Sequence, residues 1–272
     1  MKKLAITVPA LCCLLTWTVP AQGVVGEAEE KGRKIVEEAV AALGGEKFLA
    51  MQDRVASGWT GTWHGGVSRN VRTRIYTLYS AAGMAERHAF DKNESYAALF
   101  NDSGAWEITY RGARPMEKPK AERFSRDARF NILQILRLRM NEPGMVFAYR
   151  GSEVCEKQMG DVVEVISREN EPVVRVCFNR NTRLPLRQSY FRLDPLTKDR
   201  IEEVTLFSRY HDAGDGVMWP RQISWFRDGE PVSEIFLESV HVNQGLTPER
   251  FTLAPGMKRL KPLASFEPAR LL

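Results

Sequence analysis

The residues of this chain that could do chemistry are few, and their spacing does not assemble a reaction centre. His64, His88, His211 and His241 are the four histidines, and none has a partner at metal-ligand spacing: H-E-x-x-H and C-x-x-C are both absent. Histidines on strands and loops are ordinarily solvated rather than ligating. Glu202 with Glu203, and Asp212 with Asp215, are carboxylate pairs of the kind that share acid and base work. Each pair falls in a turn or an alternating strand, where its usual role is to solubilise an exposed face. A G-x-S-x-G elbow, a Walker loop and a G-x-G-x-x-G turn are all missing. The expectation is therefore no enzyme, no metal and no cofactor.

Large aromatics are the conspicuous remaining feature. Trp59 and Trp63 share one face of a strand, and Trp106, Phe147, Trp219 and Trp225 recur on later ones. Trp59, Trp63, Trp106, Phe147 and Trp225 are candidates for lining an apolar ligand cavity. The competing reading is ordinary core packing. Which of the two applies depends on the elements that carry them.

A helical pattern opens at residue 27, where Ile35, Val36, Ala39, Val40 and Leu43 recur at helix spacing with acids and Lys34 opposite, and Gly44 and Gly45 end it. From Arg54 to Tyr110 extended runs alternate with turn residues at Gly65–Gly66, Ala82–Gly83, 91–93 and 101–104, the mark of an antiparallel meander. Residues 121–140 interrupt it with a second amphipathic helix. There Phe124, Ala128, Ile132, Ile135, Leu136 and Leu138 form the apolar face, and Arg123, Arg126, Arg129 and Arg137 fill the other. Strands resume at Met145 and run to Val242, with Asp228-Gly229 as the strongest hairpin signal. Several of these runs are apolar on both parities, so both faces of the sheet are partly covered. The fold class expected is α+β, mainly β: one curved antiparallel sheet with two helices packed on its concave side, in one domain whose tail turns irregular from about residue 255.

Lys2 and Lys3 precede an apolar run over residues 4–19 and the small residue Ala21, the pattern of a secretory signal peptide cleaved near Ala21. The formal charge of +5 falls to +3 without Lys2 and Lys3, too mild and too dispersed for nucleic acid. Cleavage also removes Cys12 and Cys13, leaving Cys155 and Cys177 in an oxidising compartment. Read on sequential neighbouring strands, this pair is not set opposite by the simplest hairpin register, and the disulfide stays open.

Taken together, several segments resemble the periplasmic LolA/LolB-like superfamily of outer-membrane lipoprotein carriers and receptors. They are Ala42-Leu43-Gly44-Gly45 leading to a strand with Gly58, Gly160-Asp161-Val162-Val163-Glu164-Val165, Thr182-Arg183-Leu184-Pro185, Trp219-Pro220-Arg221-Gln222-Ile223 and Val242-Asn243, with Phe251 closing. The resemblance implies a half-barrel plugged by helices. It also implies a soluble periplasmic binding protein that holds a lipid or the acyl chain of a lipoprotein, with the 121–140 helix (Phe124, Ala128, Ile132, Ile135, Leu136) as a lid. The alternative is a periplasmic sensor or interaction module that binds the ectodomain of an envelope membrane protein through the helix arginines.

Overall fold

A computed structural model describes residues 21–64, 67–80, 83–167, 171–195 and 197–262. The leader, but for Ala21, and the last ten residues of the tail lie outside them, as do the turn residues Gly65, Gly66 and Ala82.

Helix α1 (Ala21–Leu43) buries Ile35, Val36, Ala39, Val40 and Leu43 and ends where Gly44 and Gly45 adopt positive φ. A single turn, α2 (Glu46–Leu49), then seats Phe48 in the core. Six strands follow: β1 (Asp53–His64), β2 (Val67–Ser80), β3 (Gly83–Ala89), β4 (Ala97–Asn101), β5 (Gly104–Thr109) and β6 (Gly112–Pro115). After the helical crossing come β7 (Val146–Cys155), β8 (Gln158–Ile166), β9 (Val174–Asn179), β10 (Pro185–Leu193), β11 (Arg200–Asp212), β12 (Met218–Arg227) and β13 (Glu230–Val242). Asp228 and Gly229 join the last two with positive φ at both positions, as a two-residue hairpin turn requires.

The two meanders form one 13-stranded antiparallel sheet because β13 returns to pair with β1, giving the order β6-β5-β4-β3-β2-β1-β13-β12-β11-β10-β9-β8-β7. This order has a consequence for the site. Strands β6 and β7 are consecutive in sequence yet lie at opposite edges, so the segment between them must cross the sheet. Helix α3 (Lys118–Phe130) and the turn α4 (Ile132–Gln134), extended by a π-helical turn (Ile135–Arg139), make that crossing on the concave face.

The single helix expected over residues 121–140 is broken. Asn131 is extended, and its side chain caps the Leu133 N–H at 2.9 Å. The freed backbone groups are met by Gln188 of β10, whose Oε1 accepts from Ile132 N and whose Nε2 donates to the Phe130 carbonyl. Beyond the break the faces rotate. Ile132, Ile135 and Leu136 are fully buried, Leu138 is exposed, and Arg139 turns inward to bond the Arg129 carbonyl and Glu142.

The main core lies between the helices and the concave face. On the convex face a smaller cluster of Tyr76, Leu99, Ile108 and others is roofed by Phe251, which a 3-10 turn (Pro248–Phe251) presents. The tail, expected to run irregularly over the surface, instead extends the sheet at β6: Ala113 bridges Arg259 and exchanges backbone bonds with Lys258 and Leu260.

Cys155 and Cys177 are disulfide-bonded, with Cα atoms 6.6 Å apart. The two lie on β7 and β9 and not on neighbouring strands, because β8 runs between them. Gly160 of β8 makes the bridge possible: a Cβ there would overlap Cys177 Sγ. Pairing over an intervening glycine is what a hairpin-register argument cannot see.

Candidate functional site

Alternation along β1 decides which side chains face the helices. Ala56, Thr60 and Thr62 share the concave parity, while Val55, Trp59 and Trp63 share the convex one. The residues toward α3 are therefore short, and those away from it are large. Opposite them α3 presents only Phe124 and Ala128 as apolar residues, beside Arg123 and Asp127. Two layers with short or charged side chains at their contact leave a cavity of about 380 Å³.

Its apolar wall is Ile75, Met84, Phe124, Leu133, Trp219, Ile223, Trp225, Ile235 and Leu237. Phe124 anchors α3 by stacking on Phe100 of β4 at 3.6 Å between ring centroids. Its polar wall carries Arg54 of β1 and Glu86 of β3, with the fully buried Thr77 of β2 standing between them in the strand register. Arg54 Nη2 donates to Thr77 Oγ1 at 2.7 Å and to Glu86 Oε1 at 3.3 Å, and Thr77 donates to Glu86 at 2.9 Å. His88 Nε2 lies 2.8 Å from the other Glu86 oxygen. The Arg54 guanidinium covers the Trp219 ring at 4.5 Å. Burial alone would raise the Glu86 pKa, but the hydrogen bond and charge of His88, with Arg54 and Thr77, outweigh it and hold the carboxyl below its usual range. At the α3 side, Arg123 pairs with Asp127 at 3.5 Å and donates to Ser233 Oγ at 3.2 Å. Burial, with the nearby Glu203 charge, pushes Asp127 up to about 6 against the pull of Arg123 and Arg126.

Of the aromatics expected to line a cavity, the structure brings only Trp225 to it. Trp59 is on the convex face, 42% exposed, donating Nε1 to Glu238 under the Arg72 guanidinium. Trp63 shares that face, by the unbroken β1–β2 register. Trp106 belongs to the small convex cluster, where Arg259 covers its ring. Phe147 is ordinary core, 2% exposed beneath α1. The reason is physical: both faces of this sheet are covered, so a large aromatic on a strand carries no sign of which face it occupies.

Of the lid residues, Phe124 and Ala128 line the cavity, whereas Ile132, Ile135 and Leu136 are core beyond the Asn131 break. The helix arginines form no common outer face. Arg129 is paired with Glu171, and Arg137 reaches the Met51 carbonyl and covers the Tyr79 ring. Arg54, Glu86 and His88 carried no sequence signal as a group, since only strand register makes them neighbours. Among the described residues no group of three or more His, Cys, Asp or Glu is placed to hold a metal ion, and no helix is long and apolar enough to cross a membrane.

No family model and no curated protein matches this chain. Solved structures do. A domain from Vibrio parahaemolyticus described as an outer membrane lipoprotein-sorting protein superposes with a TM-score of 0.54 at 14% identity, over 82% of this chain and 97% of that one. A DUF1329 family protein from Desulfovibrio piger gives a TM-score of 0.55 at 14% identity, over 83% and 97%. A LolA superfamily protein from Nitrosomonas europaea gives 0.52 at 12% identity, over 81% and 97%. Identities this low speak for the architecture alone, and on architecture they agree: the chain has a LolA-like fold.

Proposed function

We propose that this protein is a periplasmic binding protein that shields a lipid, or the acyl chain of a lipoprotein, in the cavity between α3 and the concave face of the sheet. The observation that carries the proposal is the cavity itself. It is built where the topology forces a helix across the sheet, and its volume of about 380 Å³ falls in the range of small-molecule sites, about 300–1,000 Å³. An apolar wall of Ile75, Met84, Ile223, Trp225, Ile235 and Leu237 gives methylenes a place out of water, at about 0.8 kcal/mol each. Such binding needs no covalent chemistry, which agrees with the absence of catalytic motifs from the sequence. The likeness to a lipoprotein-sorting domain supports the same reading. Of the four arginines that a membrane-protein docking face would use, Arg123, Arg129 and Arg137 are engaged within the chain, so they offer no common free face for the interaction-module alternative.

The test is lipid extraction and native mass spectrometry of the exported protein, together with titration of a fluorescent fatty-acid ester. Co-purified lipid and saturable uptake of the probe are expected. A protein that carries no lipid and takes up no probe would remove the carrier reading.

A further inference from the structure

The cavity is not a hydrocarbon slot, and its polar atoms specify what else the ligand carries. Resting on the reading above, we infer that the ligand presents a neutral group able both to donate and to accept hydrogen bonds, a secondary amide joined to the acyl chain, and that Gln134 and Trp219 recognise it.

Both residues line the cavity, and their exposures are only 8% and 3%. Each keeps a buried polar atom that no described residue partners: Oε1 of Gln134 and Nε1 of Trp219. Arg54 Nε and Thr60 Oγ1, also among the lining residues, are unpartnered in the same way. Because buried polar atoms are normally satisfied, atoms of this kind on both the helix and the sheet side ask for a partner from inside the cavity. The indole N–H can only donate and therefore needs an acceptor, and the Gln134 oxygen needs a donor. One secondary amide supplies both, a carbonyl and an N–H. An ester supplies only the carbonyl.

Charge narrows the class further. Arg54 and Arg123 are the cations on the wall, and each already faces a carboxylate, Glu86 at 3.3 Å and Asp127 at 3.5 Å. His88 leans on the same Glu86. A free fatty-acid carboxylate would enter without a cation of its own, beside Glu86 and Asp127, and a buried charge without a partner is strongly disfavoured. A neutral linkage meets no such obstacle.

Calorimetry of the full chain with N-methyl lauramide, methyl laurate, monolaurin and laurate tests this. The amide is expected to bind about tenfold more tightly than the ester, the equivalent of the one hydrogen bond that its N–H adds. Gln134→Leu is expected to narrow that gap, whereas Trp219→Phe is expected to weaken amide and ester alike, since both offer the carbonyl. Equal binding of amide and ester overturns the inference while leaving the acyl-binding cavity in place. Tighter binding of monolaurin would assign the polar atoms to a hydroxyl, and tighter binding of laurate would overturn the neutral head group. If no probe binds, the cavity reading itself fails. The wild-type series decides the matter even where a variant does not fold.

Discussion

The two halves of the concave face share one sheet but are finished differently. Under α1 the space is filled: Ile35, Val36 and Leu43 cluster with Phe147, Val163, Val165 and Phe178, all nearly or wholly buried. The approach is close enough that a Cβ at Gly32 would overlap the Phe147 carbonyl oxygen. Under α3 the helix offers few large apolar residues, and the strands answer with Thr60, Thr62 and Ser233, so a cavity with charged walls remains. A groove in a two-layer fold arises where short side chains face each other across the layers, and a large aromatic on a strand marks it only when strand parity turns that residue inward, as it does for Trp219 and Trp225 but not for Trp59 and Trp63.

Substitutions should separate the halves. Phe147→Ala, in the filled half, should lower stability by about 3–5 kcal/mol in urea unfolding while the folded fraction binds acyl probes as before. A loss of probe affinity there would mean that the halves are coupled. Replacing both Cys155 and Cys177 by serine should cost about 3 kcal/mol, given a sequence separation of 22, again without effect on binding because Cys155, Cys177, Val162 and Leu186 form a separate convex cluster. Trp225→Ala, in the cavity half, should cost less, about 1–2 kcal/mol, because one side of the ring already faces open space, and it should weaken probe binding measurably. Trp63→Ala, on the convex face, should do neither; a binding defect there would overturn the assignment of faces.

The smallest effect is in pH. Asp127 has its pKa raised from 3.8 to about 6, so the folded state holds a proton that the unfolded state has released across that window. Its contribution to stability is therefore present below the lower value and is lost as pH rises toward about 6. Its side chain keeps 35% exposure, so solvent screens much of the effect. Asp127→Asn should flatten the stability profile between about pH 4 and 6; an unchanged profile would show that the carboxyl is solvated like any surface acid.

What the sequence alone determined is what local physics controls. Apolar residues at helix spacing produce α1, Gly44 and Gly45 stop it, and Asp228-Gly229 makes its hairpin because two consecutive positive-φ positions suit those residues. The meander, the interrupting helical segment and the return meander were legible for the same reason, and with them the fold class. The break at Asn131 was not, since its backbone is satisfied by Gln188, 56 to 58 positions further along the chain. Nor was the cavity wall. The Arg54–Thr77–Glu86 row exists only through the registers of β1 on β2 and β2 on β3, and the face each residue takes is unmarked where both faces are covered. The return of β13 to β1 is what sends β6 and β7 to opposite edges and carries α3 across the sheet. Periodicity is a property of neighbours in sequence, whereas a cavity is a property of surfaces that meet only once the sheet has closed its order.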